Sequence, residues 1–168
     1  TMAFSLETHA QSWIVGSSAD VNTSPQGGIV LAGGAGDNDD AMTWFVNRAD
    51  GGDIVVIRAT GTDGYNSYLY SLGSVNSVET VVIDSRSDAN NSSIETKIRN
   101  AEGLFIAGGD QGDYVDFWEG TLVESAINYL INTKNAVVGG TSAGCAIQGK
   151  TYFSASNGTV TSSEALSN

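Results

Sequence analysis

Three residue types are almost missing from this chain. Among its 168 residues there is one cysteine (Cys145), one histidine (His9) and one proline. A lone cysteine excludes an intrachain disulfide and leaves the redox compartment unmarked. Positive charge is scarce as well: 7 Lys and Arg stand against 19 Asp and Glu, for a formal net charge of -12. That balance argues against a nucleic-acid partner, because neutralising phosphates needs clustered Lys and Arg. It also repels an anionic membrane surface, while it attracts a cationic substrate such as an arginine- or lysine-rich peptide. No apolar run approaches the roughly 20 residues of a membrane span, and the residues from Thr1 onward do not read as a signal peptide, so the expectation is that any such segment was removed or never there. Few Lys and many Asn, Ser, Thr, Gly and Asp give the look of a secreted or periplasmic protein of bacterial type.

What is present is a rhythm. After a lead-in over 1–26, with a short apolar run at Trp13 to Val15, apolar segments alternate with amphipathic ones. The pattern predicts strands over 28–32, 53–59, 78–83, 103–107 and 135–139. Between them, helices are expected over 39–49, 65–72, 91–100 and 113–131, the last carrying Leu122, Ala126, Tyr129 and Leu130 on one side. Such alternation implies right-handed crossovers and a mostly parallel sheet covered on both faces, an α/β fold. In these sheets the ligand site lies beyond the carboxyl ends of the strands, where the glycine-rich breaks after Ala32, Ile57, Ala107 and Val138 fall. Past Gly149 the chain turns polar and β-prone, with Asn157-Gly158 as a hairpin signal.

The last of these breaks carries chemistry. Gly140-Thr141-Ser142-Ala143-Gly144 follows an apolar strand and opens a helix-compatible segment, the pattern of a nucleophile elbow. Small neighbours are needed there because the serine backbone is strained and the helix must start close beside the strand. Ser142 is the candidate nucleophile, and the Ala143 amide points to where an oxyanion forms. A second donor should come from a neighbouring strand-end loop, for which Gly108-Gly109-Asp110-Gln111 is the best candidate, with Gln111 able to touch substrate through its side chain.

A base is harder to find. His9 sits in the lead-in, outside the strand-end loops, and reads as a terminal histidine. Lys150 is about two helical turns beyond Ser142 and would be carried away from it. Gly34-Ala35-Gly36 invites a dinucleotide reading but lacks the third glycine at Asp39, and Asp37, Asp39 and Asp40 would repel a pyrophosphate. That acidic run reads as a solvated loop, and Cys145 as a small packing residue.

Together, Gly108-Gly109-Asp110-Gln111 and Gly140-Thr141-Ser142-Ala143-Gly144-Cys145-Ala146 resemble the cyanophycinase and aspartyl dipeptidase family of serine peptidases. The resemblance runs from about Gly27 onward and implies a class I glutamine-amidotransferase-like, flavodoxin-like αβα sandwich. It implies Ser142 as nucleophile, the Gly109 and Ala143 amides as oxyanion hole, and Asp110 and Gln111 on the substrate side. It implies neither metal nor cofactor. The reaction it suggests is acyl-enzyme hydrolysis of a peptide bond, including β-aspartyl bonds. Cys145 departs from the usual alanine. Family members also continue well past this length, and their histidine lies in that part.

The expectation is therefore a processed enzyme. Residues 1–26 lead in, and 27–168 form the N-terminal part of one catalytic domain, completed by a second fragment of the same precursor that brings the base. The cut would fall in an exposed polar loop and could be autocatalytic; a homodimer of the two-chain unit is compatible with this. Two other readings compete. One is a non-catalytic binding or assembly protein on the same fold, which the absent base favours. The other is an α/β-hydrolase esterase, which shares the serine motif but lacks an upstream HGGG-type loop.

Overall fold

A computed structural model describes residues 10–154, 158 and 160–167. His9 and the Asn157 half of the hairpin signal lie outside the described residues. The elements run β1 (Ser12–Gly16), β2 (Gly28–Ala32), α1 (Asp39–Arg48), β3 (Asp53–Arg58), α2 (Asn66–Ser71) and β4 (Ser77–Val82). They continue through α3 (Arg86–Ala89), α4 (Ser92–Asn100), β5 (Gly103–Ile106), α5 (Gln111–Trp118) and α6 (Leu122–Tyr129). A π-helical turn (Leu130–Lys134), β6 (Val137–Thr141), α7 (Ala143–Ala146) and α8 (Ser162–Ala165) complete the order.

The six strands form one sheet in the order β1-β4-β3-β5-β6-β2. All neighbouring pairs are parallel except β1 with β4. The central strands β3, β5 and β6 are buried almost throughout, because a parallel sheet is covered on both faces. Alternate residues of β3 feed two cores. Ile54 and Val56 join Met42, Phe45, Leu69 and Phe105 under α1 and α2. Val55 and Ile57 join Ile94, Ile98, Trp118, Val123 and Leu130 under α4, α5 and α6. This is the expected mostly parallel αβα sandwich.

Differences from the sequence reading have local causes. The lead-in contributes an edge strand, Ser12–Gly16, antiparallel to β4, with Ser12 level with Val81 and Gly16 with Ser77. The single helix expected over 113–131 breaks in two at Gly120, whose φ of +70 takes the chain out of helical geometry. The break lets the Trp118 ring stack on Tyr114, with centroids 4.2 Å apart, and lets its indole N–H donate to the Ile83 carbonyl at 3.0 Å.

The amino ends of the strands are tied by buried polar groups. Asp53 accepts from Ser77 Oγ at 2.5 Å, Asn76 Nδ2 at 2.8 Å and the Val21 amide at 3.0 Å. The Asp53 amide donates to Glu102 Oε2 at 2.9 Å, and the other Glu102 oxygen pairs with Lys134 Nζ at 2.8 Å. Glu102 is fully buried, so its charge stands only with that partner in place. One end of the sheet is thus pinned, and the other is left to loops.

Candidate functional site

Register puts four strand ends on one level. Ile57 is level with Ile106, Ile106 with Gly140, and Gly140 with Leu31. One residue further on, Arg58, Ala107, Thr141 and Ala32 open the site. The loops Gly33–Gly36, Gly108–Gln111 and the β6–α7 junction meet there.

Ser142 is that junction. Its φ of 53 and ψ of -117 lie where non-glycine residues are strained, while Thr141 before it is strand and Ala143 after it is helix. The strain persists because the residue is held on both sides. Its amide donates to the Ala32 carbonyl at 3.0 Å, and its carbonyl accepts from Ala146 N at 2.9 Å and Cys145 N at 3.1 Å. The side chain is exposed, whereas Ala143 and Gly144 are buried. Gly144 allows α7 to start against the sheet: a Cβ there would stand 2.1 Å from the Ile106 carbonyl oxygen. Gly34 plays the matching part from above. A Cβ on it would lie 2.9 Å from both Cβ and Oγ of Ser142, so its lack of a side chain keeps the hydroxyl open.

The Gly108–Gly109 loop flanks the serine from β5, with the Cα of Gly108 facing it: a Cβ there would meet Ser142 Cβ at 3.4 Å. Tyr114 fixes this loop from below. Its hydroxyl donates to the Ala107 carbonyl at 2.8 Å and lies 3.1 Å from that of Gly108. Holding two consecutive carbonyls fixes their peptide planes, and with them the direction of the amides that follow. Burial pushes the Tyr114 phenol up to about 12, so it remains a donor across the neutral range.

Asp110 is the N-cap of α5, accepting from the Gly112 amide at 2.8 Å. The Gln111 side chain donates to the Phe153 carbonyl at 2.9 Å, which ties it to the chain segment after α7. Ser142, Gly109, Ala143, Asp110 and Gln111 are therefore gathered at the same end of the sheet. Lys150 is not: it lines a groove with Ile29, Trp118 and Tyr152 on the α5–α6 side. Cys145 is a free, partly buried thiol on α7. In the acidic run, Asn38 caps α1 by accepting from Ala41 N at 3.0 Å, and Asp39 and Asp40 fill the first turn, where the helix dipole favours negative charge.

Sequence reasoning passed over three residues here. Tyr65 lies beside the Thr141 hydroxyl, packs on Phe105 with ring centroids 4.8 Å apart, and donates to Asp37 at 3.1 Å. Burial, with the Asp37 charge second, pushes its phenol up to about 12. Tyr68 donates to Asp39 at 2.7 Å. Arg58 closes this side, its Nε 2.5 Å from the Thr60 carbonyl and its Nη1 2.8 Å from that of Thr62. The three line a cavity of about 370 Å³ with Asp37, Asp39 and Gly64. The only sequence signal was the position of Arg58 at a strand end.

The sheet, the strand-end loops and the strained serine between strand and helix define an α/β protein of flavodoxin-like build. Its reactive end is built from glycine loops. The family model of peptidase family S51 matches residues 58–167, and the chain belongs to that family. The fold is similar to the crystal structure of a peptidase from an acI-B1 Actinobacterium, with a TM-score of 0.52 and 16% sequence identity over 73% of this chain. This chain spans 56% of the length of that solved peptidase. No functionally curated protein matches the chain.

Proposed function

We propose that the protein is a serine-type peptidase that cleaves a peptide bond through an acyl-enzyme on Ser142. The observation that carries this is the backbone of Ser142, exposed and strained at the β6–α7 junction, in a chain of a peptidase family. Ser142 Oγ attacks the scissile carbonyl carbon and gives up its proton to a base. The Ala143 and Gly109 amides donate to the carbonyl oxygen as it becomes negative. The carbon–nitrogen bond then breaks, the leaving amine takes the proton, and water releases the acid by the reverse path. Asp110 and Gln111 border the substrate side. Cleavage next to an aspartyl residue, including a β-aspartyl bond, is the substrate class that the family membership favours.

The base comes from polypeptide other than residues 10–167. Two observations support this. No described side chain within the site is a histidine, and among the described residues β2, next to the serine strand, is an open edge. Ile29 and Leu31 project from it 56% and 61% exposed, a pair of large aliphatics more typical of a paired strand. A second fragment of the same precursor, freed by processing after the α7 region, would both cover this edge and bring the base.

The test is labelling with a fluorophosphonate probe followed by peptide mass spectrometry, with intact mass read on the same sample. Adduct on Ser142, lost in S142A with the melt unchanged, is the expected result. No adduct in the presence of every companion polypeptide overturns it in favour of a binding role on this fold.

A further inference from the structure

One of the two proposed oxyanion donors stands on a pair of glycines. The peptide between Gly108 and Gly109 has no Cβ on either side, so nothing local stops its plane from turning over. The carbonyl of Gly108 and the amide of Gly109 share that plane and point opposite ways across it. A turn of the plane would withdraw the Gly109 N–H and set the Gly108 oxygen in its place, where it would repel a developing oxyanion. The placement of one carbonyl oxygen thus decides whether the donor is present.

That oxygen is held. The Tyr114 hydroxyl lies 3.1 Å from the Gly108 carbonyl oxygen and 2.8 Å from that of Ala107, so both converge on one proton. With the carbonyl turned to the phenol, the Gly109 N–H is directed away from it. The loop is clasped between this ring and the serine. A Cβ on Gly109 would stand 2.8 Å from the Tyr114 hydroxyl oxygen, and one on Gly108 would stand 3.4 Å from Ser142 Cβ. The ring has no freedom to follow a turning peptide. It is fully buried and stacks on Trp118 with 11° between the planes, and the indole N–H anchors Trp118 on the Ile83 carbonyl at 3.0 Å. Packing alone does not call for the hydroxyl, because phenylalanine would fill the same apolar core and keep the stack. The partners of this buried polar group are the two loop carbonyls.

We propose that Tyr114 is a positioning residue for catalysis, its hydroxyl locking the Gly108–Gly109 peptide in the orientation that turns the Gly109 amide to the oxyanion. This rests on the peptidase reading of Ser142. Tyr114 acts through Gly109, and the loop walls it off from the reacting atoms. Its effect falls where negative charge develops, in the transition state, and leaves the first binding of a ligand unaltered.

The experiment compares the parent with Y114F, in the presence of every companion polypeptide. Fluorophosphonate labelling is followed over a range of probe concentrations, which separates the limiting rate from the half-saturating concentration. The expected result is a limiting rate about 100-fold lower, the size of one lost oxyanion donor, at an unchanged half-saturating concentration. The control is K134M/E102Q, altered at the opposite end of the sheet, which should label at the parent's limiting rate below its melt. No loss in Y114F, a loss confined to the half-saturating concentration, or an equal loss in the control overturns the proposal. The NMR signal of the Gly109 amide gives a readout independent of activity. It should be single and sharp in the parent, and broadened or doubled in Y114F as the peptide turns over. An unchanged sharp signal in Y114F overturns the lock whether or not the serine labels. Failure of the parent to label removes the peptidase reading, and the Gly109 signal then decides the lock by itself. Should Y114F not fold, the parent decides. Its Tyr114 hydroxyl proton, held between two carbonyls, should give a slowly exchanging signal with an NOE to the Gly109 α-protons, and absence of that signal overturns the proposal.

Discussion

A methyl group at position 34 should silence the site while leaving the fold almost untouched. In Gly34→Ala the new Cβ would stand 2.9 Å from both Oγ and Cβ of Ser142, well inside an ordinary carbon contact of about 3.5–4.0 Å. One partner must give. Gly34 lies in an exposed loop, so its movement costs little; surface changes of this kind stay within about 0.5 kcal/mol. Ser142 is held by its amide on Ala32 and its carbonyl on α7. Its side chain can yield only by leaving its rotamer, at about 0.5–1.5 kcal/mol. The loop is the cheaper partner to move, but only far enough to relieve the clash, so the methyl stays against Oγ and across its approach. A misplacement of 1 Å at a reacting centre costs about 100-fold in rate, and the fluorophosphonate labelling rate should fall about 10- to 100-fold, with Tm within about 2 °C of the parent. Gly144→Ala is the contrasting case, because its Cβ would meet the Ile106 carbonyl oxygen of a central strand at 2.1 Å. Overpacking against backbone costs about 3 kcal/mol, or roughly 6–12 °C in Tm for a domain of this size. If Gly34→Ala labels at the parent rate, or loses as much Tm as Gly144→Ala, the geometry assigned to the serine is wrong.

Other outcomes follow from the same structure. Ser142→Gly should abolish labelling yet raise the urea midpoint by the equivalent of about 1 kcal/mol, because strain of about 1–3 kcal/mol at φ 53 outweighs the entropy that glycine adds to the unfolded chain; an unchanged or lower midpoint would speak against strain. Lys134→Met strands the buried Glu102 and should destabilise by about 3–5 kcal/mol, and adding Glu102→Gln should recover part of it, both read by denaturant titration. The Tyr114 phenol, pushed up to about 12 by burial, is protonated more firmly in the native state than in the unfolded chain. Its contribution is therefore whole below about pH 10, where unfolded tyrosine begins to ionise, and is lost as pH rises through 12. Tyr114→Phe should flatten part of the alkaline fall in stability but not all of it, since Tyr65 is raised as well.

How much of this was legible in the residues depended on which force decided each part. The five parallel strands announced themselves because burial on both faces demands continuous apolar runs such as Ile54 to Ile57. The elbow was legible because close backbone approach demands glycine at 140 and 144 on either side of Ser142. The edge strand over Ser12–Gly16 was harder to see: only Trp13 and Val15 mark its inner side, and its pairing with β4 is set across more than sixty residues of chain. The break at Gly120 was masked because both helices keep an apolar face at similar spacing, and glycine within a helical pattern is tolerated. Arg58 and the phenols of Tyr65 and Tyr68 could not be assembled from sequence at all. They meet because the strand order β3-β5-β6-β2 brings distant loops together, and no local pattern records that order.

The open side of β2 bears on more than what covers it. Among the described residues this strand is bonded to the sheet through β6 alone, and its carboxyl end runs straight into the loop whose Gly34 stands over Ser142. Half of its backbone groups find no strand among the described residues, so opening of β2 costs less free energy than opening of β5 or β6. Each such opening carries the Gly33–Gly36 wall with it. Amides of β2 should therefore exchange hydrogen well ahead of those in the central strands. Anything that pairs with this edge would slow their exchange and quieten the loop above the serine, joining assembly of the sheet to readiness of the site through one strand.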